Sequence, residues 1–261
     1  MIELHHNGLS TCSQKVRLVL AEKGLEWQGQ HLDLWRGEQQ RPEYLALNPG
    51  GVVPTLVDGG RVIIESSVIM EYLDEAFPEP ALKPGGAAER AAMRLWTKQL
   101  DEGVHGATST LSNAVAFRYL FLDGAGGLDE ARLQRMPDPA RRARKREQIL
   151  EGMESPLFAA ALGRIKRLFA DMESALERQP WLAGDGLSLA DLALAPTLGR
   201  IEQLHFQGLL AARPQLAEWF GRMQARASYA EAVTAWLEQD DLDLMAEKGE
   251  AAWPRAAEIL A

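Results

Sequence analysis

A stretch rich in proline and glycine, FPEPALKPGGAAE from Phe77 to Glu89, divides the chain into two parts that follow different hydrophobic periods. Such a composition connects elements and does not form one. Before it, short apolar runs of strand length alternate with helically spaced ones. After it, apolar residues recur at helical spacing almost throughout. The expected architecture is α/β plus all-α: a compact α/β layer over residues 1–80, a linker at 81–90 and an all-helical part over 91–261.

Within the first part, Ile2 to His5 reads as a strand. Ser13 to Lys23 reads as a helix with Val16, Val19 and Leu20 on one face and Gly24 as its stop. Leu25 to Leu34 is extended in character, and Glu38 to Leu47 is a short helix or irregular turn. Two apolar runs then flank Asp58-Gly59-Gly60, a hairpin signal. Val68, Ile69, Tyr72 and Leu73 set a further helix that ends before Pro78.

In the second part, Ala91 to Leu100 is helical, and Phe158, Leu162, Ile165, Phe169, Met172 and Leu176 belong to a long apolar stripe. Ser188 caps another helix, with Asp191 three residues on to answer the cap's backbone N–H. Pro214 opens a helix carrying Leu216, Trp219, Phe220 and Met223. Between 121 and 156 the period weakens, and LDGAGGLDE and RMPDPARR each interrupt it. This segment is an insertion or an irregular helical hairpin. It is either a pocket wall or partner surface, or a loose surface excursion.

Composition narrows the function. The formal net charge of -9 argues against a nucleic-acid binder. One basic run, RRARKR at Arg141 to Arg146, is either a solvated helix face or a contact for phosphate or acidic lipid. A single cysteine excludes an internal disulfide framework and a thiolate zinc site, and the five histidines include no HExxH pair, so no metal is expected. The N-terminus does not read as a signal peptide, and no apolar run reaches membrane-spanning length. The expectation is a cytoplasmic protein with no membrane partner.

Chemistry concentrates in LSTCSQKVRLVLAEKGLEW, Leu9 to Trp27. Ser10, Thr11, Cys12 and Ser13 stand between a strand and the helix it feeds. A helix start carries unpaired N–H groups and partial positive charge, so it stabilises a thiolate, carboxylate or phosphate, and a neighbouring hydroxyl adds a hydrogen bond. One of these side chains can equally be a plain cap, and Cys12 is either an inert small residue or a thiol whose pKa the helix end depresses. Further on, Val53-Pro54 precedes the hairpin. A cis bond there exposes the Val53 backbone to an extended thiol peptide, which would pair with it as a short added strand. Glu65 and Ser66 stand at the entrance to a helix and suit a substrate ammonium and carboxylate respectively. The plain alternatives are an edge-strand proline and a cap.

The segments STCSQKVRLVLAEKGLEW, LNPGGVVPTLVDGGRVIIESSVIMEYLDEAFP and GLSLADLALAPTL, in this order with a linker before the third, resemble the glutathione transferase superfamily. The resemblance implies a thioredoxin-like N-terminal domain, an all-helical C-terminal domain, a homodimer and glutathione as cosubstrate. By motif position, Val53 resembles the residue whose backbone pairs with the cysteinyl part of glutathione and Pro54 the cis-proline. Glu65 and Ser66 resemble the γ-glutamyl pair, Gln40 a polar contact to the glycyl end, and Ser188 with Asp191 the structural capping box.

STCS is similar to the SSCS signature of the zeta class, which includes maleylacetoacetate isomerases, although Thr11 and Lys15 depart from it. That match makes Ser10 the activating hydroxyl. The longer helical domain and RLWTKQLDE resemble bacterial β-aryl-etherases, a match that favours Ser13. Thr11 and a cysteine-dependent thiol transfer through Cys12 stay open. The implied activity is glutathione thiolate attack on a hydrophobic, aromatic electrophile. The alternatives are β-aryl ether cleavage, cis–trans isomerisation, or a non-enzymatic binding protein. Lowering the thiol pKa by roughly 2 units takes about 2.7 kcal/mol, within reach of one charge-assisted hydrogen bond plus a helix end. Trp96, Leu100, His105, Phe117 and Tyr119 are candidates to line the electrophile's pocket, or else plain core residues, and His105 is either a group that orients a leaving group or a satisfied surface histidine.

Overall fold

The computed structural model describes residues 1–122 and 127–261; part of the Gly-rich break in LDGAGGLDE, at 123–126, lies outside the described residues. The chain opens with strand β1 (Ile2–His6), helix α1 (Thr11–Glu22), strand β2 (Trp27–His31), the short α2 (Pro42–Leu47), strands β3 (Thr55–Asp58) and β4 (Arg61–Ile63), and α3 (Ser66–Ala76). The four strands form one mixed sheet in the order β2-β1-β3-β4. β1 runs parallel to β2 and antiparallel to β3, which pairs antiparallel with β4. This is the thioredoxin-like arrangement.

Local chemistry explains the joints. Gly24 has φ 60°, and the Leu25 N–H reaches back to the Leu20 carbonyl at 3.0 Å, a left-handed stop that closes α1. Gly59 and Gly60 have φ 55° and 81°, and Asp58 pairs with Arg61, so β3 and β4 meet through a two-residue turn that needs positive φ at both central positions.

The remaining helices are α4 (Ala87–Gln99), α5 (His105–Val115), α6 (Glu130–Gln134), α7 (Pro139–Leu150), α8 (Pro156–Leu176), α9 (Leu189–Gln203), α10 (Pro214–Gln224), α11 (Ala227–Ala232) and α12 (Gln239–Leu260). A π turn, Leu100–Val104, joins α4 to α5 without a loop. The stripe on α8 is buried from Phe158 to Leu176, and α8 lies against α5, α10 and α12. α4 begins at Ala87, inside the stretch read as linker, because the alanines after Gly86 favour helix over coil. α1 begins two residues before the expected start, because Ser10 and not a later residue is its cap.

Buried polar groups lock the two parts together. Arg17 on α1 donates to the Ala232 carbonyl at 2.7 Å and to the Asn7 and Gly8 carbonyls at 2.9 and 3.1 Å. Burial pulls its pKa down to about 9. Lys23 pairs with Asp74 at 2.7 Å and donates to the Phe77 and Pro80 carbonyls, which fixes the connecting stretch. Asp191 is fully buried. It accepts from the Leu182 N–H, the Trp219 indole and both the N–H and hydroxyl of Ser188. The Ser188/Asp191 box is therefore a folding device, and neither residue reaches a cleft.

No helix among the described residues is long and apolar enough to cross a membrane.

Candidate active site

A cleft of about 210 Å³ opens between the sheet domain and α5, walled on its far side by Phe117, Phe121, Arg132, Met136, Arg141 and Lys145. One wall is the start of α1. Ser10 is the cap of α1, and its oxygen accepts the Ser13 N–H at 3.2 Å. Its own O–H has no acceptor among the described residues, and Ser10, Thr11 and Cys12 all line the cleft. Ser13 is placed differently. It is fully buried, and its oxygen takes the Asn7 N–H at 3.3 Å, so it braces the loop before α1 and does not face the cleft.

The second wall is the turn before β3. Val53 lines the cleft, and Pro54 behind it is buried and follows a cis peptide bond. Neither the N–H nor the C=O of Val53 has a hydrogen-bond partner among the described residues. Tyr44 and Asn48 hold the segment from outside. Both bond the Val52 carbonyl and the Thr55 hydroxyl, at 2.5–3.1 Å. Gln40 lines the same side.

The start of α3 stands beside α1, and its Glu65 and Ser66 lie outside the cleft lining. Glu65 caps α3 with φ 67°, a conformation that costs a non-glycine residue energy and that persists where the surroundings over-determine it. Ser66 is buried, and its hydroxyl acts on the Cys12 thiol. Beside it, Lys15 donates to the Ser67 hydroxyl at 3.1 Å, and that hydroxyl donates to Asp101 at 2.8 Å. The π turn is what brings Asp101 there, across the domain boundary.

The same turn delivers His105 to the cleft. Its Nδ1 lies 3.5 Å from the Cys12 sulfur. Burial pushes the Cys12 thiol up, but His105, Lys15 and the Ser66 hydroxyl outweigh it and leave the pKa at about 6. The Cys12 charge raises His105 in turn, against its partial burial. Each member of the pair therefore pushes the other toward its charged form, thiolate and imidazolium.

Of the expected lining, His105 and Phe117 are present. Trp96 and Leu100 are core residues, the Trp96 indole donating to the Leu182 carbonyl at 2.8 Å, and Tyr119 is exposed. Sequence reasoning missed Trp35, Phe121, Arg132 and Arg200. It also read Arg141 and Lys145 only as part of a basic run. The signal for these two was their spacing of four, which puts them on one face of α7. Described residues of the 121–156 segment thus supply part of the cleft wall, and two of the RRARKR cations line it.

No group of three or more His, Cys, Asp or Glu among the described residues is arranged to hold a metal.

Residues 9–76 match the glutathione S-transferase N-terminal domain and residues 139–222 its C-terminal domain. The chain belongs to the glutathione S-transferase family, and is an enzyme with glutathione as its cosubstrate. It is 30% identical over 254 residues to protein LigF of Sphingobium sp., covering 95% of this chain and 98% of that one. The crystal structure of that β-etherase superposes with a TM-score of 0.79 at 29% identity, over 88% of this chain and 98% of the other. A maleylacetoacetate isomerase of Pseudomonas aeruginosa is 34% identical over 197 residues, 74% of this chain and 78% of that one.

The cleft lining offers an open backbone pair at Val53 and the start of α1, with no acidic residue among the described ones.

Proposed function

We propose that the protein is a glutathione-dependent β-aryl ether cleaving enzyme. The observation that supports this most strongly is the likeness, along nearly the whole chain, to a β-etherase. The cleft is suited to it. A thiol-peptide wall faces an aromatic wall of Trp35, Phe117 and Phe121, and Trp35 packs edge-on against Phe117 with ring centres 5.1 Å apart.

In this reading Val53 pairs through its backbone with the cysteinyl part of glutathione, with cis-Pro54 shaping the turn. Glu65 and Ser66 take the γ-glutamyl group, and Gln40 the glycyl end. Ser10 donates its free O–H to the sulfur at the start of α1. Thr11 is the alternative donor. Ser13 supports the loop from within the core. The sulfur displaces an aryloxide from carbon: a C–S bond forms and a C–O bond breaks. His105, kept protonated by the Cys12 thiolate, gives its proton to the departing oxygen. Neutral His105 then takes the proton of the next glutathione thiol. Glutathione and ether become thioether and phenol, with no change of oxidation state.

A second reading rests on the Cys12–His105 pair. Cys12 attacks the sulfur of a glutathione mixed disulfide and expels the partner thiolate, and a second glutathione then releases Cys12 as oxidised glutathione forms. Loss of ether cleavage in Ser10→Ala with retention in Cys12→Ala supports the first reading, and the reverse supports the second. Product analysis with maleylacetoacetate separates isomerisation.

We also infer a cytoplasmic homodimer. The exposed large apolar side chains Val62, Ile64, Val68 and Leu95 concentrate on or beside β4, α3 and α4. Light scattering tests the assembly.

A further inference from the structure

The far wall of the cleft carries cations that the chemistry above does not use. Arg132, Arg141 and Lys145 all line it, and none forms an ion pair among the described residues. Their hydrogen-bond partners are neutral, and the carboxylates that act on them, Asp129 and Asp33 on Arg132 and Asp138 on Arg141, stand outside the cleft lining. Arg132 bonds the Leu120 carbonyl and lies 3.9 Å over the Phe121 ring, while its Nη2 is buried with no partner among the described residues. Lys145 bonds the Asn113 amide oxygen and sits 4.5 Å from the centre of the same ring. Arg141 reaches the Gly50 carbonyl at 3.3 Å. The cleft lining contains no Asp or Glu.

The Phe121 ring attracts Arg132 and Lys145, but like charges gathered in one wall repel unless an anion completes the group. The strain shows on Lys145, which burial first, and then Arg141 and Arg132, pull down to about 7.

We infer that Lys145, Arg132 and Arg141 form a carboxylate subsite, and that the second substrate is an aromatic electrophile bearing an acidic group. This rests on reading the cleft as the electrophile's site. The aromatic rings hold the body of such a molecule, and the cations take its charge. A second source of carboxylate is the glycyl end of glutathione. Arg141 reaches the sheet domain at the Gly50 carbonyl. Lys145 and Arg132 stand beside Phe121 and Asn113, on the helical side, which favours the electrophile.

The test is calorimetric binding of para-phenoxybenzoate and its neutral amide, para-phenoxybenzamide, to the whole protein saturated with an S-alkyl glutathione. Turnover is not needed. The expected result is that the acid binds about tenfold more tightly than the amide, equivalent to about 1.4 kcal/mol. In Lys145→Met/Arg141→Met this preference should fall to about one. Equal binding of acid and amide by the unaltered protein overturns the inference, and so does a preference that survives the double replacement. It is also overturned if the preference appears only without the glutathione derivative and the double variant binds that derivative at least tenfold more weakly, because the cations then serve the glycyl carboxylate. Acid preference without any ether cleavage leaves the subsite standing and removes the ether reading; ether cleavage without acid preference does the opposite.

Discussion

The Cys12 sulfur lies 3.5 Å from Nδ1 of His105, joining the first turn of α1 to the first turn of α5 across 93 residues of chain. Two titratable groups in contact hold each other in their charged forms, so each is a probe of the other. With one cysteine in the chain, thiol alkylation reads this site alone. The rate of iodoacetamide labelling should rise through a midpoint near pH 6, far below the ordinary thiol value of 9.0. His105→Gln removes the largest opposing charge and leaves the burial that pushes the thiol up. Its midpoint should move upward by at least about one unit, a loss of about 1.4 kcal/mol of thiolate preference. An unchanged midpoint in that variant would show that the pair is not coupled.

Ser10 and Ser13 should separate cleanly. Ser10→Ala removes a helix cap at a cost of about 1 kcal/mol. It also removes the free donor, so the bound glutathione thiol should titrate at higher pH and kcat should fall. Ser13→Ala leaves the buried Asn7 N–H without its acceptor, which costs about 1–3 kcal/mol of stability. It should leave the bound thiol's titration unmoved. Denaturation midpoints and ultraviolet titration of the complex check both.

Asp191→Ala strips the acceptor from the Leu182 N–H, the Ser188 N–H and the Trp219 indole at once. Buried donors left unpaired cost about 1–3 kcal/mol each before relaxation. The variant should unfold at clearly lower denaturant, with KM for glutathione unchanged in whatever remains folded. A raised KM with normal stability would contradict its structural role.

Arg200 holds the entry to α1 from the helical side. It is buried, donates to the Leu9 carbonyl at 2.6 Å and to the Ser112 hydroxyl at 3.0 Å, and lies over the Phe117 ring. Arg200→Met leaves the carbonyl bare and frees the loop that sets Ser10. A stability loss of about 2–4 kcal/mol is expected, together with weaker glutathione binding. Thermal unfolding with and without glutathione measures both.

What could be read from the sequence was what neighbouring residues decide among themselves. Asp58-Gly59-Gly60, Gly24 and the Ser188–Asp191 box act within a few residues, and each stands in the structure where its local chemistry put it. The candidate anion sites at Ser10 and Ser66 and the candidate pairing turn at Val53 could be proposed for the same reason, since a helix start or a proline turn is a local event. Choosing between Ser10 and Ser13 was beyond it. Three residues of helix turn one hydroxyl to the cleft and the other into the core, and only the cap position tells which. The His105 partner of Cys12 and the inward cations of α7 depend on how α5 and α7 pack on the sheet domain. RRARKR looks the same whether its face meets water or a cleft. Trp35 likewise gave no local sign that it would pack against Phe117.

The most direct measurement is to incubate the purified protein with a β-aryl ether, with and without glutathione, and to quantify the products. Equal amounts of free phenol and glutathione thioether, formed only when glutathione is present and at least tenfold more slowly by Ser10→Ala, is the expected result. Phenol released without glutathione would contradict the chemistry assigned to this cleft, and so would an ether left intact at saturating glutathione.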